Sequence, residues 1–206
     1  MSVKIESEKT VAEFRGFAKI PRLSRECTVT EKIDGTNACI CITEDGEFMT
    51  GSRTRWISPE SDNHGFSRWA YEHKDELMAL GVGTHYGEWW GAGIQRGYGL
   101  DDKRLSLFNT SRWCLHGETA KNIPTSDPRI VRMQNTLPPC CHLVPVLYEG
   151  EFDTFLIDGL LREMRAQGSR AAPGFMRPEG VIIYHHAAGQ YFKKTLEKDS
   201  VFKGKH

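Results

Sequence analysis

The chain of 206 residues has no charge excess: 27 lysines and arginines match 27 aspartates and glutamates. Its overall field therefore does not advertise a polyanion partner, and any nucleic-acid contact must come from a local patch. One candidate is "FRGFAKIPRLSRE", with Arg15, Lys19, Arg22 and Arg25, for which a solvated face without a partner is at least as good a reading. No apolar run approaches the roughly 20 residues of a membrane span, and "MSVKIESEKTVAEF" lacks the apolar centre of a secretion signal. A cytoplasmic protein is expected.

The six cysteines, Cys27, Cys39, Cys41, Cys114, Cys140 and Cys141, form no C-x-x-C. That excludes the spacing of common zinc modules and the look of a disulfide-stapled secreted domain. Cys114, His116, Cys140, Cys141 and His142 are zinc-ligand types, but their spacing is poor and free thiols are the expectation. Repeats, low-complexity tracts and long linkers are absent too, so residues 1–206 are expected to form a single domain.

With 39% hydrophobic and 26% charged residues, what remains is an ordinary globular composition. From Thr28 to Ser52 the pattern is strand, corner, strand, turn, strand. "NACICITEDGEFMTGS" predicts a hairpin turning at Asp45-Gly46, and a two-residue turn would set Ala38 opposite Arg53. "GFSRWAYEHKDELMALG" places Phe66, Trp69, Ala70, Leu77 and Leu80 on one helical stripe closed by Gly81. "THYGEWWGAG" and "RLSLFNTS" read as strands, with Trp89 and Trp90 as core or pocket wall. "EFDTFLIDGLLREMRAQGS" predicts a helix with Phe152, Phe155, Leu156, Leu160 and Met164 at helical spacing. "EGVIIYHHAAGQYFKKTL" predicts a second hairpin near Gly189. The sum is an α+β fold of antiparallel sheets flanked by helices, not a βαβ alternation.

Polar residues gather at the predicted strand ends: Lys32 and Asp34, Ser52 and Arg53, Glu88, Glu179, and Lys193 or Lys194. These are the types that phosphoryl transfer needs, at glycine corners where backbone can approach a ligand closely. A lysine is a nucleophile once neighbouring charge or a metal lowers its pKa, and carboxylates suit Mg²⁺. Single motifs such as Asp-Gly after Lys32 are equally served by a plain β-turn.

The order "KIDG", "SR", "GE" in an aromatic strand, a strand ending in Phe108, "EGVI" and a hydrophobic-lysine pair resembles the motif series of covalent nucleotidyltransferases, over roughly residues 28 to 196. That superfamily comprises polynucleotide ligases and mRNA capping enzymes. "EKIDGTN", "GSRTRWISPE" and "YGEWWGAGIQRGY" are most similar to the ATP-dependent RNA ligases of phages. The DNA ligase and capping branches carry an OB domain after the last lysine motif; only "TLEKDSVFKGKH" follows Lys194, so a bare nucleotidyltransferase domain is expected.

The resemblance implies a ligase that uses ATP and Mg²⁺ (or Mn²⁺) and joins RNA ends as a monomer; the sequence leaves open whether those ends are single-stranded, nicked in a duplex or in a broken tRNA loop. It implies that Lys32 becomes lysyl-AMP, that Asp34 sits by the metal or its water, and that Arg53 contacts phosphate. Glu88 would accept from the ribose hydroxyls, Phe108 would stack on adenine, and Glu179 would hold the metal. Glu31 and Asn37 would serve the nucleotide pocket and the RNA end. Counting from a two-residue turn gives Lys194 the face of Glu179, a loop one residue longer gives it to Lys193, and the family pattern favours Lys193. Thr195 stands where a second lysine is common. A small DNA nick ligase, a capping guanylyltransferase and a non-catalytic end-binding module are the alternatives.

Overall fold

The computed structural model describes residues 16–113 and 137–197. Cys114, His116, Arg15 and most of the terminal "TLEKDSVFKGKH" lie outside them.

Two antiparallel sheets form the frame. The first has four strands in the order β10-β9-β1-β8, with β1 Glu26–Lys32, β8 Val146–Glu151, β9 Gly180–His185 and β10 Gln190–Thr195. The second has six in the order β4-β3-β2-β5-β6-β7: β2 Thr36–Ile42, β3 Phe48–Gly51, β4 Trp56–Ile57, β5 Gly83–Gly91, β6 Lys103–Leu107 and β7 Cys141–Leu143. Among the described strands only β6 and β7 run parallel. The strands β1 and β2, adjacent in sequence, belong to different sheets, so the Lys32–Gly35 corner is the link between them.

Alternation explains the faces. In β2, Ala38, Ile40 and Ile42 are buried with Trp89, Leu105 and Leu107, and the helical segment closes over them through Phe66, Ala70, Leu77 and Leu80. That segment is not one helix. It breaks into α1 Phe66–Glu72, α2 Lys74–Leu77 and a 3₁₀ turn Met78–Leu80, ended by Gly81 at φ 76°. The break falls at His73, whose ring Nδ1 lies 2.8 Å from the Trp69 carbonyl oxygen. The Asp62 carboxylate accepts from the Ser67 and Arg68 amides and satisfies the first turn.

On the four-stranded sheet, Cys27, Val29, Val181 and Ile183 pack against α3 Thr154–Gln167 through Ile157, Leu161 and Met164. Asp153 caps α3 by accepting from the Phe155 amide at 2.7 Å. Phe155, expected on the apolar stripe, is instead 83% exposed, because the buried stripe starts two residues later at Ile157. The other face of this sheet carries no helix among the described residues.

Two registers differ from expectation. Cys39 pairs with Gly51 and Ile42 with Phe48, so Thr43 and Glu47 close a three-residue loop with Gly46 at φ 79°. The slip of one residue puts Ser52, not Arg53, in line with Ala38. In the second hairpin Gln190 pairs with His185, leaving a four-residue loop over 186–189.

No helix among the described residues is long and apolar enough to cross a membrane.

Candidate active site at the Lys32 corner

β1 delivers Lys32 to its last position, and β9 starts opposite it, with Lys32 paired to Gly180. Glu179, one residue before, bonds Lys32: Glu179 Oε2 stands 2.5 Å from Nζ, with both side chains about four-fifths buried (22% and 18% exposed). Gly180 lets β10 pass close behind this start of β9. Its φ is 154°, and a Cβ there would lie 2.3 Å from the Lys194 carbonyl oxygen and 2.7 Å from the Thr195 Cα.

The corner itself is held at every residue. Ile33 is buried in a small core with Trp90, Tyr98, Val144 and Ala172. The Asp34 amide donates to the Tyr98 hydroxyl at 2.9 Å, and the Asp34 carboxylate accepts from Arg96 Nε at 2.8 Å. Arg96 also donates from Nη1 to the Arg177 carbonyl oxygen at 3.0 Å, two residues before Glu179. A Cβ on Gly35 would collide with Trp89 O at 2.5 Å and Trp90 Cβ at 2.7 Å, so only glycine lets β2 start this close to β5.

Glu88 reaches across from β5. Its Oε1 accepts from the Gly35 amide at 3.1 Å and its Oε2 from Asn37 Nδ2 at 3.4 Å. Burial pushes the Glu88 carboxyl up to about 7; Lys32 and the Gly35 amide pull the other way, and the carboxylates of Glu179 and Asp34 add to the rise. Three carboxylates thus crowd one lysine.

Register places the remaining residues. Glu88 pairs with Ser106 and Gly87 with Leu107, so Phe108, whose amide donates to Tyr86 O, continues on the Glu88 face. It is 37% exposed and outside the core. On the other sheet Lys193 pairs with Ile182, which pairs with Thr30, giving Lys193 the face of Lys32. Lys194 pairs with buried Val181 and points to α3, where Nζ meets Asp158 Oδ1 at 2.5 Å. The four-residue loop keeps the parity of a two-residue turn, but the Lys194 face is the helix face. Glu179 reaches Lys32 from the break at Gly180 instead.

Besides Lys194, two expected residues stand apart from the cluster. Arg53 sits at the tip of a turn closed by the Ser52 amide donating to Arg55 O at 2.8 Å. It is exposed and makes no side-chain hydrogen bond or ion pair among the described residues. Glu31 faces away from Lys32, 1% exposed, and its carboxylate accepts from Ser169 Oγ and from the Arg170 and Ala171 amides at 2.5 to 2.9 Å. Burial raises its pKa against those bonds. Its side chain fastens the loop after α3.

The sequence motifs that mark the other site residues assign no role to Arg96 and Tyr98. The glycine-rich "GAGIQRGYG" was the available signal, and their partners lie over 60 positions upstream. Among the described residues no group of three or more His, Cys, Asp or Glu could by itself hold a metal ion, and Cys140 and Cys141 are free thiols.

This fold is that of an RNA ligase adenylation domain. The RNA ligase of Naegleria gruberi, solved as a lysine-to-alanine mutant with ATP and Mn, matches at 18% identity and TM-score 0.55, covering 86% of this chain and 52% of that one. A glutamate-to-alanine mutant of that ligase with ATP and Mn gives TM-score 0.57 at 16% identity, covering 85% and 51%. A lysine-to-methionine mutant with AMP and Mn gives 0.55 at 18%, covering 84% and 50%. The chain spans about half the length of these solved relatives. No curated protein matches the sequence. The RNA ligase family model matches residues 25–203, and the chain belongs to the RNA ligase family.

Proposed function

We propose that this chain is the ATP-dependent nucleotidyltransferase of an RNA ligase, with Lys32 as its nucleophile. The observation that carries the reading is a lysine at the sheet-to-sheet corner, bonded to Glu179 and faced by Glu88, inside the family match.

In the first step Lys32 Nζ forms a bond to the α-phosphorus of ATP, the α–β anhydride breaks and pyrophosphate leaves. The proton on Nζ has Glu179 Oε2 as its nearest acceptor. A 5′-phosphate oxygen then takes the AMP, returning the lysine, and a 3′-hydroxyl displaces AMP to close the phosphodiester. Glu88 accepts from the ribose hydroxyls, Phe108 stacks on the adenine, and Lys193 draws the phosphate oxygens from the neighbouring strand. Arg53 would reach phosphate only with a movement of its turn. Asp34, held by Arg96, presents a fixed oxygen beside the lysine.

Mg²⁺ or Mn²⁺ fits the donor set. Such ions take one or two carboxylates together with substrate phosphates and water, not an all-protein cage, and Glu179 and Asp34 supply the hard oxygens. The ion would neutralise the phosphate charge that builds up as pyrophosphate departs.

Sealing assays separate this reading from its rivals. Ends differing only in the 2′-hydroxyl at the 3′ side, offered single-stranded or at a nick and with ATP or GTP, should be sealed with ATP and with the ribose end. Equal sealing of the deoxy end would indicate a DNA nick ligase, and labelling by GTP a capping-type enzyme.

A further inference from the structure

The open face of the four-stranded sheet continues beyond Lys32 in rungs. Lys32, Gly180 and Thr195 share the first; Thr30, Ile182 and Lys193 the second; Thr28, Tyr184 and Tyr191 the third. Two rungs at two residues each put the tyrosines about 14 Å from the nucleophile. Tyr184 and Tyr191 lie with ring centroids 4.6 Å apart and planes at 36°, and His186 stands edge-on to Tyr184 at 5.0 Å. Thr28 Oγ1, 2.9 Å from His186 Nε2, fixes that imidazole. Tyr191 is 68% exposed.

Nothing in adenylylation uses this end of the sheet. The helix covers only the opposite face, so folding does not require aromatic rings here. The basic segment reaches the same end of the strands from the helix side: the Leu23 carbonyl oxygen accepts from buried His185 Nε2 at 2.7 Å, and Arg22 and Arg25 on that segment are exposed. Glu149, paired with Thr28 on β8, is the carboxylate at the far edge of the tyrosine rung, leaving β9 and β10 as the uncharged aromatic half.

Building on the ligase reading above, we propose that Tyr184 and Tyr191 form a stacking platform for an unpaired base of the RNA being joined. The strand would run from the platform past Lys193 to Lys32. Aromatic rings on an open sheet face stack exposed bases whatever their sequence, whereas bases inside a duplex offer no free face. The substrate class at this site is therefore a single-stranded RNA segment next to the end.

The test uses the full chain, a fluorescent 5′-phosphorylated single-stranded RNA and a blunt RNA duplex. Tyr191→Ala should weaken single-strand binding about tenfold and leave duplex binding and ATP self-labelling within about twofold of the parent. Tyr191→Phe, which keeps the ring, should bind like the parent. Unchanged single-strand affinity in Tyr191→Ala, an equal loss on the duplex, a Phe variant as weak as Ala, or a parent that binds no single strand would each overturn the platform. Failure of the parent to label with ATP would instead overturn the ligase reading, with the binding measurement still standing.

Discussion

Arg96 and Asp34, 62 positions apart in sequence, meet at 2.8 Å, and through that contact the glycine-rich loop after β5 grips the corner that presents Lys32. Burial by itself would lower the Arg96 pKa, but the bond to Asp34 reverses it and holds the guanidinium charged. The same side chain reaches the Arg177 carbonyl, so one residue braces both Asp34 and the approach to Glu179.

Arg96→Ala should therefore slow self-labelling by ATP about tenfold while the protein remains folded. Arg96→Lys should recover little, because a single ammonium cannot reproduce the forked contact to a carboxylate and a carbonyl. Labelling rates read beside thermal unfolding check this, and full activity in the alanine variant would remove Arg96 from the site.

Glu179→Gln keeps the shape and removes the charge that meets Lys32. Self-labelling should fall at least about a hundredfold, the usual scale for a lost proton acceptor at a reacting group. Single-turnover labelling at saturating ATP and Mg²⁺ measures it, and a loss under threefold would show that Glu179 only supports the turn.

Glu88 makes stability depend on pH. Its carboxyl, ordinarily near 4.5, stands at about 7 in the fold, so the folded state holds the proton more tightly than the unfolded chain. That contribution is complete below 4.5 and is lost as pH rises to about 7. Glu88→Gln should flatten the decline in melting temperature across that window. A slope identical to that of the parent would mean the carboxyl titrates as if in water.

Lys193 and Lys194 should separate cleanly. Lys193→Ala, on the Lys32 face, should cut sealing by about a hundredfold, while Lys194→Ala, facing Asp158 on the outside of α3, should leave it within about twofold. The reverse pattern would mean that β10 is in register one residue away from the one described.

How much of this could be read beforehand follows from the range of each interaction. Period-2 alternation and Asp45-Gly46 were enough for β2 and β3, but not for the register, which hung on Gly46 taking φ 79° in a three-residue loop. Helical spacing located α3 while misplacing Phe155, since Phe152 lies before the helix starts and shifts the apparent stripe. The break at His73 depends on a side chain beside a backbone carbonyl, a competition invisible to periodicity. Lys32 and Glu179 were legible because each stands at a strand end beside a glycine, while Glu88 lies inside β5 and was marked only by its place in the motif order. The buried role of Glu31 was not, because it depends on a loop 138 to 140 positions away.

The central claim is that Lys32 carries the nucleotide. Incubation of the full chain with ATP and Mg²⁺, followed by mass mapping of its peptides, should find one AMP on the peptide containing Lys32, attached through an acid-labile phosphoramidate and absent from Lys32→Ala. AMP on another residue, or equal labelling of Lys32→Ala, would contradict it.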